Sequence, residues 1–241
     1  MKAMTSEAKT ATEKKQNSPK NGGIRINEKT QELAILGLLT AIVFLMSFTP
    51  LGYLKVGPLS LTFLTVPVIV AAAILKPTDA AIIGGMFGIT SFIQAVTGAS
   101  ALTGALFQLN PFLTFLLCVV PRVLEGLIGG LIFQGLKSVD KTKFISYLVT
   151  SISVPVLNTI LFMSALYAEV KIVMMDVSTA SSLTGDFAKT FAGISSKAGG
   201  DLFTFFFALV GVQALIEAGV CFVLGTSITK ALAVALKKDK K

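Results

Sequence analysis

The sequence predicts an all-α integral membrane protein with six transmembrane helices and both termini in the cytoplasm. Apolar residues make up 53% of its 241 residues, and only 14% are charged. A mean hydropathy of +0.79 is higher than a soluble domain needs. Between residues 33 and 236 the apolar runs approach the roughly 20 residues that cross a bilayer. These observations together predict one membrane domain over residues 32–236.

The two ends of the chain are polar. Residues 1–31 are rich in Lys, Thr, Ser, Asn and Glu, so they are predicted to form a disordered cytoplasmic tail. This tail does not resemble a cleaved signal peptide, because the apolar run after it is of bilayer length. Residues 237–241 are a short basic C-terminal tail.

Residues that interrupt helices separate the predicted spans. Proline removes a backbone donor and glycine loosens the backbone, which predicts breaks at Pro50, Gly52 and Pro58 and again at Pro77. The six predicted spans are residues 32–48, 59–75, 79–96, 111–136, 144–167 and 202–236.

The distribution of basic residues predicts the orientation. Seven Lys and Arg residues lie in the N-terminal tail, and nine more lie in the 76–79 turn, the 137–143 loop and the segment from Lys230 onward. The loops on the opposite side carry four. The positive-inside rule therefore places both termini in the cytoplasm and residues 49–58, 97–110 and 168–201 outside.

The outer segment 168–201 is predicted to be a long extracellular lid loop. Leu183, Phe187, Phe191 and Ile194 recur in it at helical spacing beside charged residues. This spacing is typical of an amphipathic helix. Such a helix would either close over a site or rest on the lipid interface, and the spacing alone favours neither.

Arg122 and Glu125 lie near the middle of the fourth span. A charge at the centre of a membrane helix costs roughly 2.5–3.5 kcal/mol on insertion scales, so it usually faces a partner, a cavity or a ligand. Three residues apart, the two side chains share a helix face and can pair. Glu217 lies at a similar depth in the last span. Arg122 is therefore predicted either to form a structural ion pair or to bind a carboxylate of a ligand.

Uncharged polar residues gather toward the outer half of the predicted bundle. Each of them alone fits a hydrogen bond between helices. Because several helices and loops supply such groups at one depth, together with phenylalanines, they predict a mostly apolar site that opens outward. With Arg122, the predicted substrate-binding residues are Thr62, Gln94, Gln108, Asn110, Asn158 and Gln213.

Pairs of small residues four positions apart permit close helix packing. Packing within the chain is the simpler interpretation of each pair, but the pair in the first span also suits docking onto a separate membrane protein. The pairs are Gly37 and Ala41 in the first span, then Gly84 and Gly88, Gly126 and Gly130, Ala214 and Ala218, and Ala231 and Ala235.

The composition excludes several kinds of chemistry. The chain has no histidine, so it lacks histidine-based catalytic triads, histidine-ligated zinc and imidazole proton relays. Its two cysteines, Cys118 and Cys221, lie in apolar runs, where a cysteine is usually a small hydrophobic residue. Residues 130–138 fail as a phosphate loop, because the lysine does not follow the second glycine directly. We therefore expect no enzyme activity, metal or cofactor. We also expect no nucleic-acid partner, because the basic residues lie in tails and short loops.

Three motifs carry a resemblance to a known family. They are Phe87-Gly88-Ile89-Thr90-Ser91-Phe92, Asn110-Pro111-Phe112 and Pro121-Arg122-Val123-Leu124-Glu125-Gly126. With six short helices, both ends inside and Gly37 and Ala41 in the first helix, the chain from around residue 33 to the C-terminus resembles the substrate-binding S components of energy-coupling-factor (ECF) vitamin transporters.

The resemblance implies a bacterial plasma-membrane protein that captures a vitamin from outside and docks on a transmembrane coupling subunit driven by two cytoplasmic ATPase subunits. Rotation of the S component in the membrane would then deliver the ligand. In that family the coupling subunit contacts a small-residue pair in the first helix. Gly37 and Ala41 match this pair, although the family's pattern has alanine at the first position.

The overall pattern is most similar to the branch that includes pantothenate carriers, and Arg122 suits the carboxylate of pantothenate. Cobalamin and hydroxymethylpyrimidine are alternative ligands for the same role. Two other functions stay open: a self-sufficient transporter coupled to an ion gradient through Glu125 or Glu217, and a structural membrane protein that binds no ligand.

Overall fold

The computed structural model describes residues 28–49, 52–56, 59–140, 144–175 and 202–236. The chain divides into two units, Met1–Leu33 and Ala34–Lys241. Residues 28–33 are the described part of the first unit, where they begin a helix. All the other described elements belong to the second unit.

Helices dominate the described residues, with one pair of strands between the first two helices. The helices are α1 (Glu28–Ser47), α2 (Thr65–Ile74), α3 (Pro77–Val96), α4 (Ala101–Leu109), α5 (Pro111–Val139), α6 (Phe144–Met175) and α7 (Leu202–Ala235). The strands are β1 (Tyr53–Val56) and β2 (Leu59–Thr62). They pair antiparallel, with Tyr53 opposite Thr62 and Val56 opposite Leu59.

Five helical segments of the described residues are long and apolar enough to cross a membrane. They coincide with five of the six predicted spans, which agrees with an all-α integral membrane protein. The segments are Lys29–Ser47, Pro77–Val96, Pro111–Val139, Phe144–Glu169 and Ala214–Ala235.

The remaining predicted span, residues 59–75, is wrong as one continuous helix. Its first four residues form β2, and α2 after them has 10 residues. At 1.5 Å per residue, such a helix is about 15 Å long, half of the roughly 30 Å hydrocarbon core. The sequence Leu-Ser-Leu-Thr of β2 alternates apolar and polar residues, a strand pattern that total hydropathy does not reveal. Six spans are therefore not confirmed.

The short helix α2 lies in the interior of the bundle. Every residue from Thr65 to Ile74 is buried. A helix that is apolar on all sides is stable only when other elements surround it. Its side chains form the main core cluster with residues of α1, α3, α6 and α7, among them Val43, Phe87, Val154 and Cys221.

The long helices α3 and α5 pack closely through glycines. A Cβ at Gly84 would collide with the carbonyl oxygen of Arg122, and a Cβ at Gly126 would collide with that of Ala80. One turn along each helix, a Cβ on the second glycine would lie 2.7 Å from a backbone atom of the facing helix. The prediction that Gly84 and Gly88, and Gly126 and Gly130, pack helices within the chain is confirmed.

Two helical segments extend into regions predicted as outer loops. α4 occupies most of residues 97–110, and α6 continues to Met175, inside the 168–201 segment. The predicted lid helix at residues 183–194 lies outside the described residues, as do residues 1–27 of the predicted N-terminal tail and the C-terminal tail.

Candidate substrate site

Arg122 is oriented by the proline that precedes it. Proline has no backbone N–H, so Pro121 in the interior of α5 cannot donate to the carbonyl four residues earlier, that of Leu117. The Nη1 atom of Arg122 donates a hydrogen bond to this Leu117 oxygen at 3.1 Å. The guanidinium thus takes the place of the missing backbone donor, and the side chain is buried with 8% exposure.

Two phenylalanines flank the guanidinium of Arg122. Its central carbon lies 4.2 Å from the ring centroid of Phe162 on α6 and 5.4 Å from that of Phe87 on α3. Cation–π contacts of this kind stabilise a desolvated cation. The arrangement holds a planar group that is suited to binding a carboxylate through two parallel hydrogen bonds.

Three buried carboxyl groups accompany the buried guanidinium in the described part of the chain. Glu217 Oε1 accepts a hydrogen bond from Thr65 Oγ1 at 3.1 Å, and Glu169 Oε1 accepts one from Thr114 Oγ1 at 2.8 Å. Glu125 differs from both. It is fully buried, and neither of its carboxyl oxygens has a hydrogen-bond partner among the described residues.

Asn158 lies one helical turn from both Val154 and Phe162, on the face of α6 that packs against α5. Three contacts define the antiparallel register of these two helices: Thr114 with Glu169, Arg122 with Phe162, and a Cβ on Gly129 with Val154 Cγ2 at 2.6 Å. Residue 158 of α6 then lies at the level of residue 125 of α5. The Oδ1 atom of Asn158 is also buried and lacks a hydrogen-bond partner in the described residues.

A small crevice opens beside Glu217. It is shallow and is lined by Thr62, Phe63, Glu217, Val220 and Cys221. Glu217 also accepts a backbone hydrogen bond from Thr62. The end of β2 thus contacts the charged interior of the bundle.

The charged groups of α5 and α7 share one interior region. Glu125 interacts electrostatically with Arg122 and Glu217, and Glu217 interacts with Arg122. We call this set the interior polar cluster; its members are Thr65, Arg122, Glu125, Asn158 and Glu217. Four helices, α2, α5, α6 and α7, supply its side chains.

Gln94 and Asn110 are engaged at helix ends. The Nε2 atom of Gln94 donates to the carbonyl oxygen of Ser47, the last residue of α1, at 2.6 Å. Asn110 is the N-cap of α5, where its Oδ1 atom accepts a hydrogen bond from the Leu113 backbone at 3.1 Å. Helix ends leave backbone groups without intrahelical partners. These contacts therefore account for both residues without a ligand.

The other predicted site residues have different surroundings. Thr62 is the last residue of β2 and lines the crevice, whereas Gln108 is exposed on α4. Gln213 lies on α7 at a position whose side chain is not among those described. Of the predicted site residues, the structure brings Thr62, Arg122 and Asn158 to the interior polar cluster or its edge.

Sequence reasoning missed Thr65, Phe87 and Phe162. Thr65 is not among the predicted substrate-binding residues, and the sequence analysis does not pair the phenylalanines with the arginine. Two sequence signals bear on the surroundings of Arg122. Phe162 follows Asn158 by four residues on one face of α6, and the Pro121-Arg122 step predicts an unpaired carbonyl within reach of the arginine.

Gly37 and Ala41 lie on an exposed face of α1. No described atom comes within 4 Å of a Cβ built at Gly37. Leu38 and Leu45 on the same face are 61% and 65% exposed, whereas Val43 on the opposite face lies in the core. The predicted docking pair is therefore not used for packing within the described residues.

Comparison with known proteins identifies the family. The sequence model of the ECF transporter substrate-specific component matches residues 31–228. The pantothenate transporter PanT of Leuconostoc mesenteroides subsp. mesenteroides is 35% identical over 113 residues, which are 45% of this chain and 53% of that protein. The chain thus spans about half the length of this relative. The family match indicates a transport subunit of the cell membrane rather than an enzyme. Since the match extends over most of the sequence, the chain belongs to the family of substrate-specific components of ECF transporters.

Proposed function

We propose that the chain captures pantothenate outside the cell and delivers it across the membrane as the S component of an ECF importer. The observation that carries this proposal is the buried guanidinium of Arg122, held between Phe87 and Phe162. Pantothenate has one carboxylate, and arginine binds carboxylates through two charge-assisted hydrogen bonds. The similarity over 113 residues to a pantothenate transporter supports the same ligand.

The charge distribution supports an orientation with both termini in the cytoplasm, because sixteen of the twenty Lys and Arg residues other than Arg122 lie on the side of the termini. In that orientation the β1–β2 hairpin and α4 face outward. The crevice beside Thr62 and Glu217 then lies next to an outer element, where a ligand from outside would first meet the interior polar cluster.

The exposed face of α1 supports a docking role for Gly37 and Ala41. Small residues let two helices approach closely, and this pair has no packing partner among the described residues. We assign this face to the transmembrane coupling subunit of the importer. The sequence carries no phosphate loop. In the ECF role the energy therefore comes from two separate cytoplasmic ATPase subunits.

Calorimetric titration of the purified full-length chain in detergent tests the ligand. We expect tight binding of pantothenate. Pantothenol, in which an alcohol replaces the carboxylate, should bind at least about 100-fold more weakly, because Arg122 would be left without its anionic partner. Equal affinity for the two compounds would contradict the proposed role of Arg122. Binding of cobalamin or hydroxymethylpyrimidine instead of pantothenate would reassign the substrate.

The buried carboxyl groups of Glu125 and Glu217 favour a second candidate, a transporter driven by an ion gradient. This function requires uptake into vesicles that lack any ATPase, and an uncoupler should abolish that uptake. The ECF role instead requires the coupling subunit and ATP.

A further inference from the structure

Lys230 is a charged residue on the lipid-facing surface of a membrane-spanning segment. The segment Ala214–Ala235 of α7 contains two charged residues, Glu217, which is buried, and Lys230, which is exposed. Lys230 precedes the end of this segment at Ala235 by five positions, which is about 7.5 Å along the helix axis. A lysine at such a depth directs its ammonium along its flexible side chain toward the membrane surface or toward a partner.

The side chain of Lys230 extends toward the beginning of α6. Its Nζ atom lies 4.4 Å from the ring centroid of Phe144, the first residue of that helix. Tyr147 of α6 and Ala233 of α7 lie in one core cluster, so the two helices pack together at this end. Since Phe144 lies one turn beyond Tyr147, at the end of the bundle, the ammonium is held near the membrane surface.

The charge of Lys230 is not neutralised by this contact. A cation–π contact orients an ammonium but leaves its positive charge in place. In the described part of the chain, the structure pairs the ammonium with the ring and not with a carboxylate. Asp140, which lies near the same helix end, accepts hydrogen bonds at its Oδ2 atom from the backbone N and the Oγ of Ser146, at 3.0 and 3.2 Å. The ammonium is therefore available to an anion from outside the chain.

Apolar side chains continue from this charge into the membrane. Val223 shares the face of Lys230 on α7, two turns deeper, and is 60% exposed. Ile152 lies two turns deeper than Phe144 on α6 and is 44% exposed. The ring of Phe144 itself is 40% exposed. The surface where α6 meets α7 thus combines one cation at its end with an apolar stripe below it.

We propose that an anionic phospholipid binds at this end of the α6–α7 contact, with its phosphate on the ammonium of Lys230 and its acyl chain against Ile152 and Val223. A phospholipid supplies both the anion and the apolar chain that this surface requires, whereas a soluble anion supplies only the first. The site is additional to the proposed function and takes from it only the orientation. In that orientation Lys230 lies at the cytoplasmic leaflet, where anionic lipids attract basic residues next to membrane spans.

The first arm of the test compares two lipids on the unmodified full-length chain in detergent. Phosphatidylglycerol and phosphatidylcholine with identical acyl chains are titrated separately, and native mass spectrometry measures the lipid-bound fraction of the protein. One basic residue near the membrane surface contributes about fivefold to the binding of an anionic lipid. We therefore expect phosphatidylglycerol to bind at least about fivefold more tightly than phosphatidylcholine.

The second arm varies the site. Lys230→Gln removes the charge but keeps a polar side chain, so the preference for phosphatidylglycerol should fall below about twofold. Phe144→Leu keeps an apolar side chain but removes the ring that orients the ammonium, and it should reduce the preference about twofold. Lys137→Gln is the matched control, because it removes the same charge from an exposed position in the last turn of α5. This variant should prefer phosphatidylglycerol as the unmodified chain does.

Three results would contradict the lipid site. Equal binding of the two lipids by the unmodified chain would show that no anionic lipid is selected. Equal losses of preference in Lys230→Gln and Lys137→Gln would show that the net charge of this side attracts the lipid without a site. If Lys230→Gln keeps the preference but associates more weakly with the coupling subunit, an acidic segment of that subunit occupies the position instead. No arm uses pantothenate, so failure of the proposed substrate and failure of the lipid site are distinguishable.

Discussion

Arg122 owes its orientation to a single neighbouring residue. Because Pro121 lacks an N–H, the Leu117 carbonyl would be left without a donor in an apolar interior, where an unsatisfied backbone group is costly. The guanidinium satisfies it at 3.1 Å and is fixed by that contact and by two phenylalanine rings. A structural hydrogen bond therefore also fixes the cation to which we assign the carboxylate of the ligand.

Substitutions at Arg122 test whether this residue binds the ligand. Arg122→Lys keeps the positive charge but loses the planar fork, so one ammonium would have to serve both the Leu117 carbonyl and a carboxylate. We expect pantothenate affinity to fall about 10-fold or more in Arg122→Lys and further in Arg122→Ala, as measured by calorimetry. Apparent Tm in detergent should show that both variants remain folded. Unchanged affinity in a folded Arg122→Ala would mean that Arg122 has only a structural role.

At the scale of the element, the contact between α3 and α5 depends on the absence of side-chain atoms. Gly84 and Gly126 each face a backbone carbonyl of the other helix. The same surface of α5 carries Arg122 and Glu125 into the interior polar cluster. Close packing of these two helices therefore sets the position of both charged residues.

Gly126→Ala tests this contact. The added methyl group would overlap the carbonyl of Ala80, and overpacking costs roughly 1–3 kcal/mol. We expect the apparent Tm to fall by roughly 5–10 °C. Gly135→Ala on the same helix is the control, because nothing lies within 4 Å of its added Cβ. It should leave Tm unchanged or raise it slightly through better helix propensity. Equal effects of the two substitutions would show that α3 and α5 do not pack as described.

Within the whole molecule, α1 has one buried and one exposed face. One face contributes Leu39 and Val43 to the core, and the other exposes Gly37, Ala41 and large apolar residues. In a membrane protein an exposed apolar face meets lipid or another protein. In the function proposed above, capture and transport would therefore use separate surfaces, the interior polar cluster and the exposed face of α1.

This separation predicts that docking and capture can be uncoupled. Gly37→Leu and Ala41→Leu place bulky side chains on the docking face, so pantothenate uptake in cells with the complete importer should fall at least about 10-fold. Pantothenate affinity of the isolated variants should match that of the unmodified chain. Gly219→Leu on an exposed position of α7, also without atoms within 4 Å, is the control and should transport normally. Full uptake by both α1 variants would locate the docking surface elsewhere.

Sequence patterns alone predict the membrane class, five of the spans and the helix-packing glycines, because bilayer-length apolar runs and the spacing of small residues are local features of a helix. They also identify Arg122 as the residue to examine, since a charge in an apolar span needs a partner. The strand at residues 59–62 and the short, fully buried helix α2 are evident only in the folded structure. The structure also showed that Gln94 and Asn110 serve helix ends, whereas both carboxyl oxygens of Glu125 and the Oδ1 atom of Asn158 lack hydrogen-bond partners among the described residues. The reason is physical: hydropathy records how apolar a segment is, but whether a polar atom has a hydrogen-bond partner depends on which atoms of other elements reach it.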